Sequence, residues 1–353
     1  MDNNIAFGFF IILIAAVCGG AFGLQYTILK HYTVDNAALL SLFFATIVIP
    51  LIAVNILLPG WTIALWDAGL TTNLIVFGFG FGWGLGAFTY AFAFNLLGMA
   101  LAAAIIKGLT IALGAGVPLI RAWDDVSPGA RLFTIIGIGV LLIGTFFSGR
   151  AGILREREAE AKRQDEAHPS LAAVGKGKNL FLLGFIMCLL SGLLSAFVNL
   201  GYDYGNALEA AMKAQMGNVD LTWKATLIRW MPMYWGGITA MFLTTGIRML
   251  RNGTWRNYFG PGSMRDFILC SSMGVVHFMA QIPYGIGAFY LGKLGTTIGW
   301  GANIGMALIV AASLGFLTGE WKGVSRKALT PLLIGIGIIF FALFILGYAN
   351  SLQ

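Results

Sequence analysis

Residues 131–149 read RLFTIIGIGVLLIGTFFSG, and residues 150–163 read RAGILREREAEAKR. The first stretch is apolar for long enough to cross a hydrocarbon core of about 30 Å as a helix rising 1.5 Å per residue. The second is dense in charge, and Glu158 and Lys162 stand at the i,i+4 spacing of a solvated helix face. A membrane helix that continues into water beyond Arg150 accounts for both. Pro169 is expected to end it, and Gly175 and Gly177 to loosen the chain that follows.

Working outward, nine further apolar runs appear, at roughly 5–29, 38–58, 74–96, 98–120, 180–201, 225–247, 267–290, 295–317 and 329–349. Of the 353 residues, 58% are hydrophobic and 10% charged. Soluble domains are about 45–50% apolar and about 25% charged. This excludes a soluble globular protein, a disordered chain and a disulfide-rich module. Continuous runs also argue against a barrel of short alternating strands. The expectation is an all-α polytopic membrane protein with ten transmembrane helices. Asn206–Gly217, with Glu209 and Lys213 at i,i+4, reads as a short external helix.

The two halves resemble each other weakly. Gly19-Gly20-Ala21-Phe22-Gly23 is echoed by Ser191-Gly192-Leu193-Leu194-Ser195. Ala91-Phe92 with Leu97-Gly98 is echoed by Ala288-Phe289 with Leu294-Gly295, at an offset of 197. Five runs per half force the second half to be inverted relative to the first, a plan that places a site where the halves meet. The expected units are 1–150 and 179–353, joined by a linker over 151–178. Fifteen of the 22 Lys and Arg fall in loops after odd-numbered runs, six after even-numbered runs, and Lys107 lies inside a run. The positive-inside rule then puts the 150–178 loop in the cytoplasm and both termini outside. The +7 net charge suits an anionic membrane face rather than nucleic acid. The start Met1-Asp2-Asn3-Asn4 lacks a basic region, so the first run is expected to be retained. Cys18, Cys188 and Cys270 show no metal-site or disulfide spacing. No catalytic motif appears and no cofactor or metal is expected; Asp124-Asp125 reads as a turn.

Polar residues inside the runs mark the candidate site. No acidic residue lies within a run except at an edge, which disfavours a cationic substrate and points to a neutral one. Lys107 lies about 13 Å deep, either as a group that switches charge in use or as a lysine wetted by a cavity. His277, Gln281 and Tyr284 share one helix face at i, i+4 and i+7. Trp83 with Tyr90, Trp300 with Asn303, Gln25 with Tyr26, and Asn199 pair aromatic rings with hydrogen-bonding groups. Flat rings suit the C–H face of a sugar, and amides and hydroxyls suit its ring oxygens. Gly78-x3-Gly82-x3-Gly86 is expected to admit a close neighbouring helix.

The run Trp83-Gly84-Leu85-Gly86-Ala87-Phe88-Thr89-Tyr90, followed by Leu97-Gly98-Met99, resembles the L-rhamnose–proton symporter family of the drug/metabolite transporter superfamily. Arg150-Ala151-Gly152 with Arg155-Glu156-Arg157, Ser195 with Asn199, Gln281, Ile298-x-Trp300 and Glu320-Trp321 fit the same order. The resemblance implies ten helices, a bacterial inner membrane and uptake of a 6-deoxyhexose with a proton. Three positions depart from it: Lys107 stands where an apolar residue is expected, Thr296-Thr297 where an acidic stretch is expected, and Asn303 in place of a His. Proton coupling then falls to His277 or Lys107. The expected function is import of a neutral monosaccharide, L-rhamnose or a relative, by proton-coupled alternating access. Substrate contacts would come from Gln25, Tyr26, Trp83, Tyr90, Asn199, Gln281, Tyr284, Trp300 and Asn303. The competing readings are an exporter of small metabolites and a membrane enzyme acting on lipid-linked sugars. The enzyme would need carboxylates within the spans. The expected partners are sugar, protons and the lipid bilayer, with no nucleic acid.

Overall fold

The computed structural model describes residues 4–21, 28–166, 178–217 and 222–353. In chain order the helices are α1 (Ile5–Ala21), α2 (Val34–Leu57), α3 (Trp61–Asp67), α4 (Leu70–Leu97), α5 (Met99–Arg121), α6 (Pro128–Glu166), α7 (Lys178–Tyr204) and α8 (Asn206–Met216). They continue with α9 (residues 230–252), α10 (Ser263–Tyr290), α11 (Gly295–Leu317) and α12 (Arg326–Ser351). Eight helices among the described residues are long and apolar enough to cross a membrane. The first run is described as an apolar helix of 17 residues. The seventh is not among the eight, because α9 is rich in aromatic, Gly and Thr residues rather than aliphatic ones, and a 3-10 stretch, Thr222–Arg229, leads into it. Gln25, Tyr26 and Pro169 lie outside the described residues.

Local chemistry sets the boundaries. Gly98 adopts φ +84° between α4 and α5, a conformation open to glycine, and so ends one helix and starts the next within a single residue. Among the described residues, two helices contain a π turn, Phe44–Val48 in α2 and Phe242–Gly246 in α9. Helix α6 runs unbroken through Arg150 as far as Glu166, so the charged stretch prolongs the span as its sequence implied. That prolongation docks on its neighbours. Glu156 accepts from the backbone N–H of Ala100 (2.8 Å) at the start of α5. Glu158 accepts from the N–H of Ser325 (3.0 Å) at the start of α12. Each carboxylate meets orphan N–H groups at the positive end of a helix. Arg155 pairs with Glu320 (2.7 Å) and lies over the Trp321 ring.

Helix α6 packs along α12, α4 along α7 and α9, and α10 along α1 and α2. Helix α5 meets α7 and α11, and α11 also meets α1. Glycines allow the closest approaches, though not on the single ladder expected. Gly82 and Gly86 face Phe197 and Leu194 of α7, but Gly78 faces nothing within 4 Å. A second row, Gly80 and Gly84, meets the backbone of α9 at Met233 and Gly237. The sequence interval i,i+4 is the same for both rows, so spacing alone could not assign a neighbour to either.

Helix α10 starts at Ser263, before the apolar run, and takes Asp266 into its first turn. Asp266 is fully buried, and its Oδ2 accepts the N–H groups of Lys30, His31 and Tyr32 (3.0, 2.6 and 2.9 Å). This clasp pins the segment leading into α2 against α10. Asp266→Ala would leave three donors unpaired and should lower stability by about 3 kcal/mol. Asp266→Asn, which keeps an acceptor oxygen, should lose less. Thermal unfolding of the purified variants checks that order.

Candidate functional site

A cavity of ≈ 220 Å³ lies between the helices of the two halves. At about 30 Å³ per water it has room for about seven waters, the scale of one sugar ring rather than an oligosaccharide. Helix α4 contributes Trp83 and Tyr90, α5 contributes Lys107, α10 contributes His277, Gln281 and Tyr284, and α11 contributes Trp300 and Asn303. All eight were singled out from sequence, and the fold brings them to one surface.

The local chemistry explains their placement. The Trp83 ring lies over Gly237, where no Cβ blocks it, and at 5.8 Å from the His277 ring. Gln281 Nε2 lies 2.9 Å from His277 Nε2, one helical turn away. An amide nitrogen only donates, so in this orientation the ring nitrogen accepts and carries no proton. Gln281 Oε1 is left without a partner, as is Asn303 Oδ1. The Trp300 indole fits against Gly114 and donates to the Thr110 carbonyl (3.1 Å), which fixes the ring across the α5–α11 contact.

Asn199 is placed one step behind the surface. It is fully buried and ties three helices together. Its Nδ2 donates to the carbonyls of Gly114 on α5 (2.6 Å) and Thr296 on α11 (2.8 Å), and its Oδ1 accepts from the Tyr284 hydroxyl on α10. Asn199, expected as a substrate contact, does not line the cavity, and its amide is spent on these three bonds.

Sequence reasoning missed Trp230, Thr110 and Ser195, which also line the cavity. Ser195 precedes Asn199 by four residues and Thr110 follows Lys107 by three, so helical spacing could have found both. Trp230 with Tyr234 at i,i+4 repeats the aromatic pattern that drew attention to Trp83.

Two further cavities flank this one. At one end, Tyr202, Trp230 and Tyr284 form an aromatic layer with centroids 4.8–6.4 Å apart. Beyond it lies a charged vestibule of ≈ 310 Å³ lined by Asp203, Glu209, Lys213, Arg229 and Lys293. Asp203 pairs with Arg121 and accepts from Thr296 Oγ1 (2.8 Å). Glu209 pairs with Lys213 (2.6 Å) across one turn of α8, and with Arg229. At the other end, a cavity of ≈ 260 Å³ is lined by Arg155, Glu156, Glu320 and Trp321. Lys107 lines both this cavity and the central one. Among the described residues no group of three or more His, Cys, Asp or Glu could hold a metal ion.

A sequence model of one family, described as L-rhamnose-proton symport protein (RhaT), matches residues 1–351. The chain belongs to that family. Its members are symporters, so the protein is a transporter and not an enzyme. Similar proteins include the L-rhamnose-proton symporter of Pectobacterium atrosepticum, 24% identical over 361 residues. Another is the L-rhamnose-proton symporter of Yersinia pestis, 24% identical over 358 residues. In both pairs the match covers 98% of each chain.

Proposed function

We propose that the protein imports a monosaccharide of the L-rhamnose kind together with protons, by alternating access across a bacterial inner membrane. The observation that carries this reading is the central cavity. It combines aromatic rings with unpartnered amide oxygens, and among the described residues its lining has no Asp or Glu. The rings suit a sugar's C–H face and the oxygens suit its hydroxyls. The lack of carboxylates turns away cations.

The architecture we propose has ten crossings, with α1 and α9 added to the eight long helices, arranged as inverted units over 1–150 and 179–353. Exchange of the halves pairs α1 with α7, α2 with α9, α4 with α10, α5 with α11 and α6 with α12. Three features support the exchange. Helices α4 and α10 both have 28 residues, and α5 and α11 both have 23. The two π turns, at Phe44–Val48 and Phe242–Gly246, fall in equivalent helices at an offset of 198. The packing partners also interchange, as α4 on α7 and α9 answers to α10 on α1 and α2. The segment 151–178 would then face the cytoplasm and both termini the periplasm.

His277 is the proposed coupling group. Protonation turns its Nε2 into a donor, and Gln281 must turn its amide over to offer Oε1. Protonation thus changes what this amide presents to the sugar, from an acceptor oxygen to a donor NH2. Proton binding couples to transport only by favouring one access state. In proteoliposomes, His277→Ala should abolish accumulation of labelled L-rhamnose driven by an inward proton gradient, while sugar exchange without a gradient persists. Intact gradient-driven accumulation would sink the assignment.

A further inference from the structure

We infer that the cargo of the central cavity is a monosaccharide bearing a carboxylate, which the Lys107 ammonium receives. The inference rests on the sugar reading above and specifies the charge of the sugar. Lys107 is the ninth residue of α5 and borders both the central cavity and the cavity lined by Arg155 and Glu156. Among the described residues, the carboxylates that share a cavity with it, Glu156 and Glu320, line only the second of the two. The central cavity is lined by no Asp or Glu, and its other titratable groups are His277, Tyr90 and Tyr284. In that second cavity, Glu320 pairs with Arg155, and Glu156 accepts from the Ala100 N–H at the start of α5.

An ammonium that borders a cavity lined by no carboxylate is unfavourable inside a membrane and marks a pathway for ions or substrate. The neighbouring groups complement a sugar acid in particular. Asn303 is the ninth residue of α11, the counterpart of Lys107 on α5. Its Oδ1 and Gln281 Oε1 are unpartnered acceptors suited to hydroxyl groups. Trp83 and Trp300 offer flat faces to the ring. A neutral sugar uses the amides and the indoles but leaves Lys107 unmatched, whereas an aldonate or uronate uses all of them.

The cargo's carboxylate and the Lys107 ammonium cancel in charge within the site, and each strengthens the binding of the other by the same factor; the coupled proton remains that of His277.

The test is binding to the purified full chain, with L-rhamnose, L-rhamnonate and D-galacturonate as probes. The two carboxylates should bind about tenfold more tightly than L-rhamnose or better. Lys107→Gln should erase that preference, and Lys107→Arg, which keeps the charge, should retain it. If L-rhamnose binds as tightly as the acids, or if Lys107→Gln leaves the preference unchanged, the inference is overturned while the sugar reading stands. If none of the three probes binds, both fall.

Discussion

Replacing Gly80 by Ala should unseat α9 from α4 and give a chain that melts far below the parent. A Cβ at Gly80 would lie 1.9 Å from the Met233 carbonyl oxygen and 2.8 Å from Met233 Cα. Both are backbone atoms of the opposing helix, so no rotamer change relieves the clash and the helices must part. The opposing surface is equally tight, since a Cβ at Gly236 would lie 2.0 Å from the Phe77 carbonyl oxygen. Overpacking of a core ordinarily costs about 1–3 kcal/mol. Backbone against backbone belongs at or above the top of that range. The control is Gly78→Ala, two residues away on the same helix, where nothing lies within 4 Å. There the substitution should be neutral, or stabilising by up to about 1 kcal/mol through helix propensity. Thermal unfolding and size-exclusion profiles of the two variants decide the matter. Equal behaviour would mean that α4 does not present this face to α9. Because the Trp83 ring rests on Gly237 in the same contact, Gly80→Ala should also weaken sugar binding in whatever folded fraction survives.

The second large effect is expected at Asn199. Asn199→Ala strands the Gly114 and Thr296 carbonyls and the Tyr284 hydroxyl, the three groups that its amide joins. A buried polar group left unpaired costs about 1–3 kcal/mol, so the variant should lose about 3–5 kcal/mol. Asn199→Asp keeps an acceptor for Tyr284 but sets an anion against two carbonyl oxygens, and should do no better. Substrate affinity should fall together with stability, since Tyr284 and Trp300 both depend on this junction for position. Their rings lie 5.3 Å apart, edge to face. Wild-type melting behaviour in Asn199→Ala would disprove the tie.

The candidate site was legible in unusual detail for a physical reason. Polar residues in apolar runs are few, and each must face something other than lipid. His277, Gln281 and Tyr284 share a face at helical spacing, so one helix could be oriented from its own sequence. Trp230 escaped notice because it precedes the most apolar part of its run, beside a 3-10 stretch that spacing does not reveal. Asn199 carried the right signal, yet its amide is consumed by carbonyls from two other helices, which no local pattern reports.

By itself the sequence determined the helical class, the apolar runs, the extension of α6 beyond Arg150 and most of the polar and aromatic residues around the cavity. These follow from hydropathy and periodicity, which act within a few turns of chain. Only the tertiary structure decided which glycine row meets which helix, that Glu156 and Glu158 close the ends of α5 and α12, and that Lys107 borders two cavities. Those outcomes depend on contacts between residues tens to hundreds of positions apart. A side chain's partners there are set by how whole helices pack, not by its own neighbours in sequence.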